Sequence, residues 1–88
     1  MKVTTSKGRE YEIIDGALDD MELLDALIDI DAGNMIGLRN VIITLLGDDG
    51  RKKLYENNRG ENGRVSASAV LEELHDILTN APKEVKNS

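Results

Sequence analysis

The sequence predicts a mainly α protein, with an N-terminal β-hairpin followed by a compact bundle of about four short helices. Three observations predict it. Apolar residues alternate near the N-terminus around a glycine-bearing turn, and from Leu18 onward they recur at helical spacing. Between the helical stretches stand Asp, Asn, Ser, Gly and Pro, residues that start or stop helices. At 88 residues the chain has the length of one domain. A single domain is expected over 1–82, with the hairpin at about 2–14 and a flexible polar tail at 83–88. There is no Phe or Trp and only two Tyr, so the core must rest on Leu, Ile and Val.

The hairpin is read from Val3, Thr5, Tyr11 and Ile13, placed around Ser6-Lys7-Gly8, where Gly8 can take the positive φ of a tight loop. An isolated hairpin is marginal in water, so its apolar face must lie on the helices or on another chain. The first helix is predicted to start at Asp19 as cap, with Glu22 completing a capping box and Leu18 and Leu23 as a staple. Met21, Leu23, Leu24, Leu27, Ile28 and Ile30 then share one broad arc, opposite Glu22, Asp25 and Asp29, and the helix should end near Gly33. Asp29 and Asp31 oppose the macrodipole at that end, so helix stability does not explain their placement.

Asn34 is expected to cap a second helix through Leu46, with Gly47 as its stop. Its core arc is Met35, Leu38, Val41, Ile42, Leu45 and Leu46. Val41 to Thr44 is β-branched and compatible with a buried strand, although length and flanking caps favour helix. Asp48 or Asp49 opens a short basic helix that carries Leu54 and Tyr55 inward and ends before Gly60-Glu61-Asn62-Gly63. Ser66 caps the last helix, with Val65 and Val70 in staple positions and Val70, Leu71, Leu74, Ile77 and Leu78 facing the core. Asn80 and Pro82 are expected to stop it.

Composition excludes several kinds of function. Without cysteine there is no disulfide framework and no thiolate chemistry. A formal net charge of -6 repels phosphate backbones and anionic lipid, so neither nucleic acid nor membrane is expected as a partner. No apolar run is long enough to span a bilayer, and a soluble cytoplasmic protein is expected. His75 stands among Glu72, Glu73 and Asp76 on the polar side of the last helix and reads as a solvated surface histidine. Asp29-x-Asp31 begins like a calcium loop, but Gly33, Asn34 and Asn40 occupy three positions the loop needs for other residues. No phosphate-binding glycine pattern occurs. No catalytic residue, metal or cofactor is expected, and the protein reads as a binder rather than an enzyme.

Two features remain. Ile36 and Ile43, seven residues apart, fall outside the second helix's core arc, on the side of Arg39 and Asn40. They either pack under the hairpin or form an interface. The charge is also divided: residues 10–31 hold nine acids and no base, whereas residues 51–64 hold five bases, Arg51, Lys52, Lys53, Arg59 and Arg64. The division either serves solubility or favours head-to-tail contact between copies.

The order of several short pieces resembles the small tail assembly chaperones of long-tailed phages and prophages of Gram-positive bacteria. The pieces are Leu18-Asp19-Asp20-Met21-Glu22-Leu23-Leu24, Leu45-Leu46-Gly47, Lys53-Leu54-Tyr55, Gly63-Arg64-Val65 and the helix holding Leu74 and Ile77-Leu78. Together they span most of the chain. The resemblance implies a protein of the host cytoplasm that binds the helical, aggregation-prone tape measure protein, or another tail protein, and forms a homo-oligomer. It also implies that this chain would be the short form of a gene whose frameshifted product carries a second domain. The chain departs from the family in having Ile77-Leu78 where an aromatic is expected, which leaves its subfamily open. Such a chaperone needs an apolar groove with a polar rim. Ile36 and Ile43 are the candidate floor, Asp25 and Asp29 the candidate rim, and Arg39 adjoins them. The alternative is a small regulatory module binding nucleic acid or a regulator through the basic residues.

Overall fold

A computed structural model describes the backbone of residues 1–86 and the side chains of residues 1–81. It is mainly helical with an N-terminal hairpin, as expected, but has three α-helices rather than four. The elements are β1 (Lys2–Thr4), β2 (Glu10–Glu12), α1 (Met21–Asp31), α2 (Leu38–Asn57) and α3 (Ala67–Lys86).

β1 and β2 pair antiparallel with Val3 opposite Tyr11. The alternation read from the sequence is the alternation of burial: Val3, Thr5, Tyr11 and Ile13 are all buried. Thr5 closes the loop, its N–H donating to the Arg9 carbonyl at 2.8 Å and its hydroxyl accepting the Arg9 N–H at 3.1 Å, with Gly8 at φ 80. The buried face lies on the helices, β1 against α3 and β2 against α2. The loop is tied to α3 as well, since the Ser6 N–H donates to both Asp76 oxygens and its hydroxyl donates to Oδ2. That hydroxyl is the main reason the Asp76 carboxyl titrates below its usual range.

A single 3₁₀ turn, Ala17–Asp19, leads into α1. The cap of α1 is Asp20 rather than Asp19, accepting from the N–H groups of Glu22 at 2.9 Å and Leu23 at 3.4 Å. Asp19 is already inside the preceding turn, its N–H bonded to the Gly16 carbonyl, while Asp20 has the extended backbone a cap requires. At the other end the Gly33 N–H donates to Ile30 and the Asn34 N–H to Asp29, the paired bonds of a Schellman stop. The helix therefore ends where expected.

Asn34 does not cap α2. Its side chain accepts the Ile36 N–H at 3.2 Å and so holds a turn over Met35 and Ile36, and α2 begins at Leu38 with no side-chain cap. Residues 41–44 are helical. Gly47, expected as a stop, does interrupt the helical backbone, with φ 76 and ψ 174, and α2 is two helical segments that meet there at a kink without an intervening loop. The carbonyl of Leu45, released from the helical ladder by this kink, accepts the Ile14 N–H at 2.9 Å. The turn is also tight on its far side, where a Cβ added to Gly50 would lie 2.5 Å from the Leu46 Cβ. Alanine at an ordinary helical glycine gains up to about 1 kcal/mol. Gly50→Ala is instead expected to cost about 1–3 kcal/mol, read as a lower urea midpoint; an unchanged midpoint would show that the kink relaxes freely.

Leu54 points inward and α2 ends before Gly60, as expected. The Ser66 hydroxyl accepts the Ala69 N–H at 3.2 Å and caps α3, with Val70 buried in the core and Val65 packed against that core. Asn80 and Pro82 do not stop α3, which runs to Lys86. Asn80 sits in the helix with its side-chain N–H on the Asp76 carbonyl at 2.8 Å. Of the tail expected at 83–88, residues 87 and 88 lie outside the described residues.

The core is almost wholly aliphatic, with Ile42, Leu45, Leu54 and Ile77 its largest fully enclosed side chains. Tyr11 is the one aromatic in it. Among the described residues no helix is long and apolar enough to cross a membrane.

Candidate partner-binding surface

The broad apolar arc of α1 is divided between two environments. At 100° per residue, Leu23, Ala26, Leu27 and Ile30 occupy one sector, and Met21, Leu24 and Ile28 the next. The first sector faces the protein, where only Leu23 is fully buried. The second faces solvent: Met21 is 63%, Leu24 41% and Ile28 65% exposed. Asp25, Asp29 and Glu22 fill the remainder of the circumference and are exposed. A width of apolar surface that the sequence suggests is one core face therefore serves two faces.

Beside the exposed stripe lies a groove. α1 packs on α2, and α3 packs on β1 and α2, which leaves an open cleft of about 280 Å³ between α1 and α3. Leu27 and Ile30 form one wall and Leu71, Leu74 and Leu78 the other, with Asp31 and His75 at the edges. On α3 the buried row is Val70, Leu74, Ile77 and Ala81, while Leu71 and Leu78, expected in the core, are half-buried and line the groove. Another cleft, of about 310 Å³, separates α1 from α2 but is polar at its margin, with Asp20, Glu22, Asn40 and Thr44.

Asp25, Asp29 and Arg39 are exposed, Ile36 is 93% exposed in the turn before α2, and Ile43 is partly exposed. Ile36 thus does not pack under the hairpin. None of these five residues lines the α1–α3 groove or the α1–α2 cleft. Asp25 and Asp29 do border the exposed stripe of α1, one turn apart. The groove residues Leu27, Ile30, Leu71 and Leu78 were all legible as apolar helix positions; their assignment to a groove was not, because helical period gives spacing but not which neighbour an arc meets.

The basic middle is largely neutralised within the molecule. Arg51 and Lys52 pair with Asp48 at 2.8 and 3.5 Å, and Arg59 with Glu56 at 2.7 Å. Lys53 donates to the Glu10 carbonyl and lies 5.3 Å from the centre of the Tyr11 ring. These arginines hold the carboxyls of Asp48 and Glu56 below their usual range. The acids of α1 differ: none of Asp20, Glu22, Asp25, Asp29 and Asp31 has an ion-pair partner among the described residues.

One acid sits where none was expected. Glu73, a polar-surface residue by its sequence neighbours, is only 4% exposed. Its carboxylate accepts from Arg9, from the Tyr11 hydroxyl and from Asn58 at 3.3 Å, and Tyr11 in turn accepts from Asn57 at 2.8 Å. The network joins hairpin, α2 and α3, and every buried polar side-chain atom among the described residues has a partner. Its bonds tie the hairpin to α2 and α3. His75 is exposed. Burial, followed by the Glu73 hydrogen bond, pushes the Tyr11 hydroxyl up from 10.0 to about 12. A folded pKa above the unfolded one stabilises the fold while the group is protonated, so this contribution is whole below pH 10 and disappears as pH rises through about 12. Urea unfolding across that window should show a stability loss that Tyr11→Phe lacks; equal slopes would separate Tyr11 from alkaline unfolding.

No three His, Asp or Glu side chains among the described residues converge on a point that could hold a metal ion. Compared with protein-family models, curated proteins and solved structures, the chain matches none.

Proposed function

We propose that this chain is a non-enzymatic tail assembly chaperone of a phage or prophage, acting in the host cytoplasm on the tape measure protein and on copies of itself during tail morphogenesis. The observation that carries this reading is the apolar groove between α1 and α3 together with the exposed Met21, Leu24 and Ile28 beside it. A protein that shields helical, aggregation-prone segments needs such a surface, because an amphipathic helix buries its apolar face in a groove of leucines while polar residues at the rim keep the complex in solution. The resemblance of the ordered motifs is what suggests the client, and an apolar groove of helical length supports the reading. The regulatory alternative draws little support, since most of the basic residues it needs are already engaged with Asp48, Glu56 and Glu10.

Co-expression with a tape measure protein is the direct test. The expected result is a larger soluble fraction of that protein and a complex that elutes as one species on a sizing column. An insoluble tape measure protein with no complex would end the proposal.

A further inference from the structure

We propose that the α1–α3 groove takes an amphipathic helix whose apolar stripe is bordered by lysine or arginine, the basic residues meeting the carboxylates of α1. This rests on the reading of the chain as a binder of helical segments and adds the chemistry of the segment.

The shape favours a helix. The α3 wall runs from Leu71 to Leu78, about 10 Å or two helical turns, and the exposed stripe from Met21 to Ile28 on α1 has the same length. Both are rows of side chains at three- and four-residue spacing, which interdigitate with another helix. An extended segment would instead need an open sheet edge, and the strands here are only three residues long.

The charge selects the occupant. In register around α1, Asp31 lies between Leu27 of the groove and Leu24 of the stripe, and Asp25 and Asp29 lie beyond Met21 on the outer flank. A helix spanning groove and stripe meets Asp31 within its contact on α1, between the two rows, and Asp25 and Asp29 along its outer margin. These acids have no ion-pair partner within the described residues, and Asp29 and Asp31 face the negative end of the helix dipole, with no base in the last turn to offset them. A local rule broken without internal compensation is characteristic of a binding site. A second copy is the poorer occupant, because the bases Arg51, Lys52 and Arg59 are already paired with Asp48 and Glu56.

Three dye-labelled peptides of about 18 residues, long enough to form a helix, provide the test. One is a leucine–lysine amphipathic helix, the second has glutamate in place of lysine, and the third is the first in scrambled order. In fluorescence anisotropy the leucine–lysine helix should bind the whole chain at least about tenfold more tightly than either control. Ile28→Asp and the triple change Asp25→Asn, Asp29→Asn, Asp31→Asn should each weaken it about tenfold. Ile28 is 65% exposed, so its variant should retain the helical circular dichroism of the parent. Equal binding of the lysine and glutamate helices overturns the charge selection, and equal binding of the scrambled peptide overturns the groove. A chain whose sedimentation mass is that of a dimer, lowered by Ile28→Asp and blind to all three peptides, would assign the face to a second copy and overturn the proposal. Peptide binding with no effect on the tape measure protein would remove the proposed function while leaving this inference standing, and the opposite pair of results would do the reverse.

Discussion

Replacing Glu73 with alanine is expected to cost about 3 kcal/mol of folding stability, because removal of one member of a buried, charge-assisted network strands the others. Tyr11 loses the acceptor for its hydroxyl, Asn58 loses one of its two partners, and Arg9 loses its ion pair. Arg9 is about a third exposed and recovers water, which keeps the loss below that of a wholly enclosed pair. A domain of this length has about 4–13 kcal/mol in total, so the loss is a large share. Urea unfolding followed by circular dichroism measures it, and Glu73→Gln, which keeps the volume and one acceptor, should lose about half as much. Equal midpoints for the parent and the alanine variant would mean that the hairpin is held by its buried apolar face and the Ser6–Asp76 bonds without this network.

Gly47→Ala should have an effect of similar size, about 3 kcal/mol, from a different cause. The backbone at Gly47, φ 76 and ψ 174, lies in a region that only glycine enters freely. Space is not the obstacle, since an added Cβ would approach only the Ile14 Cδ1, at 3.4 Å. The chain must therefore either bear the strain or straighten α2, and straightening withdraws the Leu45 carbonyl from the Ile14 N–H. D-alanine at this position, introduced by chemical synthesis, is the control. Its mirror-image preference suits a positive φ, so it should be no less stable than glycine and gains up to about 1 kcal/mol from a less flexible unfolded chain. If L- and D-alanine proved equally harmful, the cause would be steric rather than conformational.

The hairpin, the stop of α1, the cap of α3 and most of the core were legible in the sequence because each rests on short-range chemistry. Val3, Thr5, Tyr11 and Ile13 alternate, Gly33 follows the last helical residues, and Ser66 precedes a run at helical period. What was not legible depends on distant partners. Gly47 reads as a stop and does interrupt the helical backbone; that the next segment follows it directly, with Ile14 bonded to the Leu45 carbonyl, was not legible locally. Glu73 reads as surface because its neighbours Glu72 and His75 are polar; its burial depends on Tyr11 and Arg9 arriving from more than 60 residues away. Asp19 reads as the cap because Glu22 stands three residues on, and only the preceding turn, which takes up its N–H, leaves the role to Asp20. Asn34 likewise satisfies an amide in a turn as well as at a helix start. Asp25 and Asp29 stood out as rim candidates from charge alone, whereas the groove, which they do not line, needed the relative placement of α1 and α3.

α1 gives the core one fully buried side chain, Leu23, whereas α2 gives it Val41, Ile42, Leu45, Leu46 and Leu54. Its amides are accordingly anchored by less packing than those of its neighbours, and they should exchange with heavy water through local opening well before the ladder of α2 does. Any molecule that settles on this helix contributes some of its binding energy to keeping it closed, so occupancy becomes visible as slowed exchange confined to one helix and as a melting temperature that rises with the concentration of the occupant.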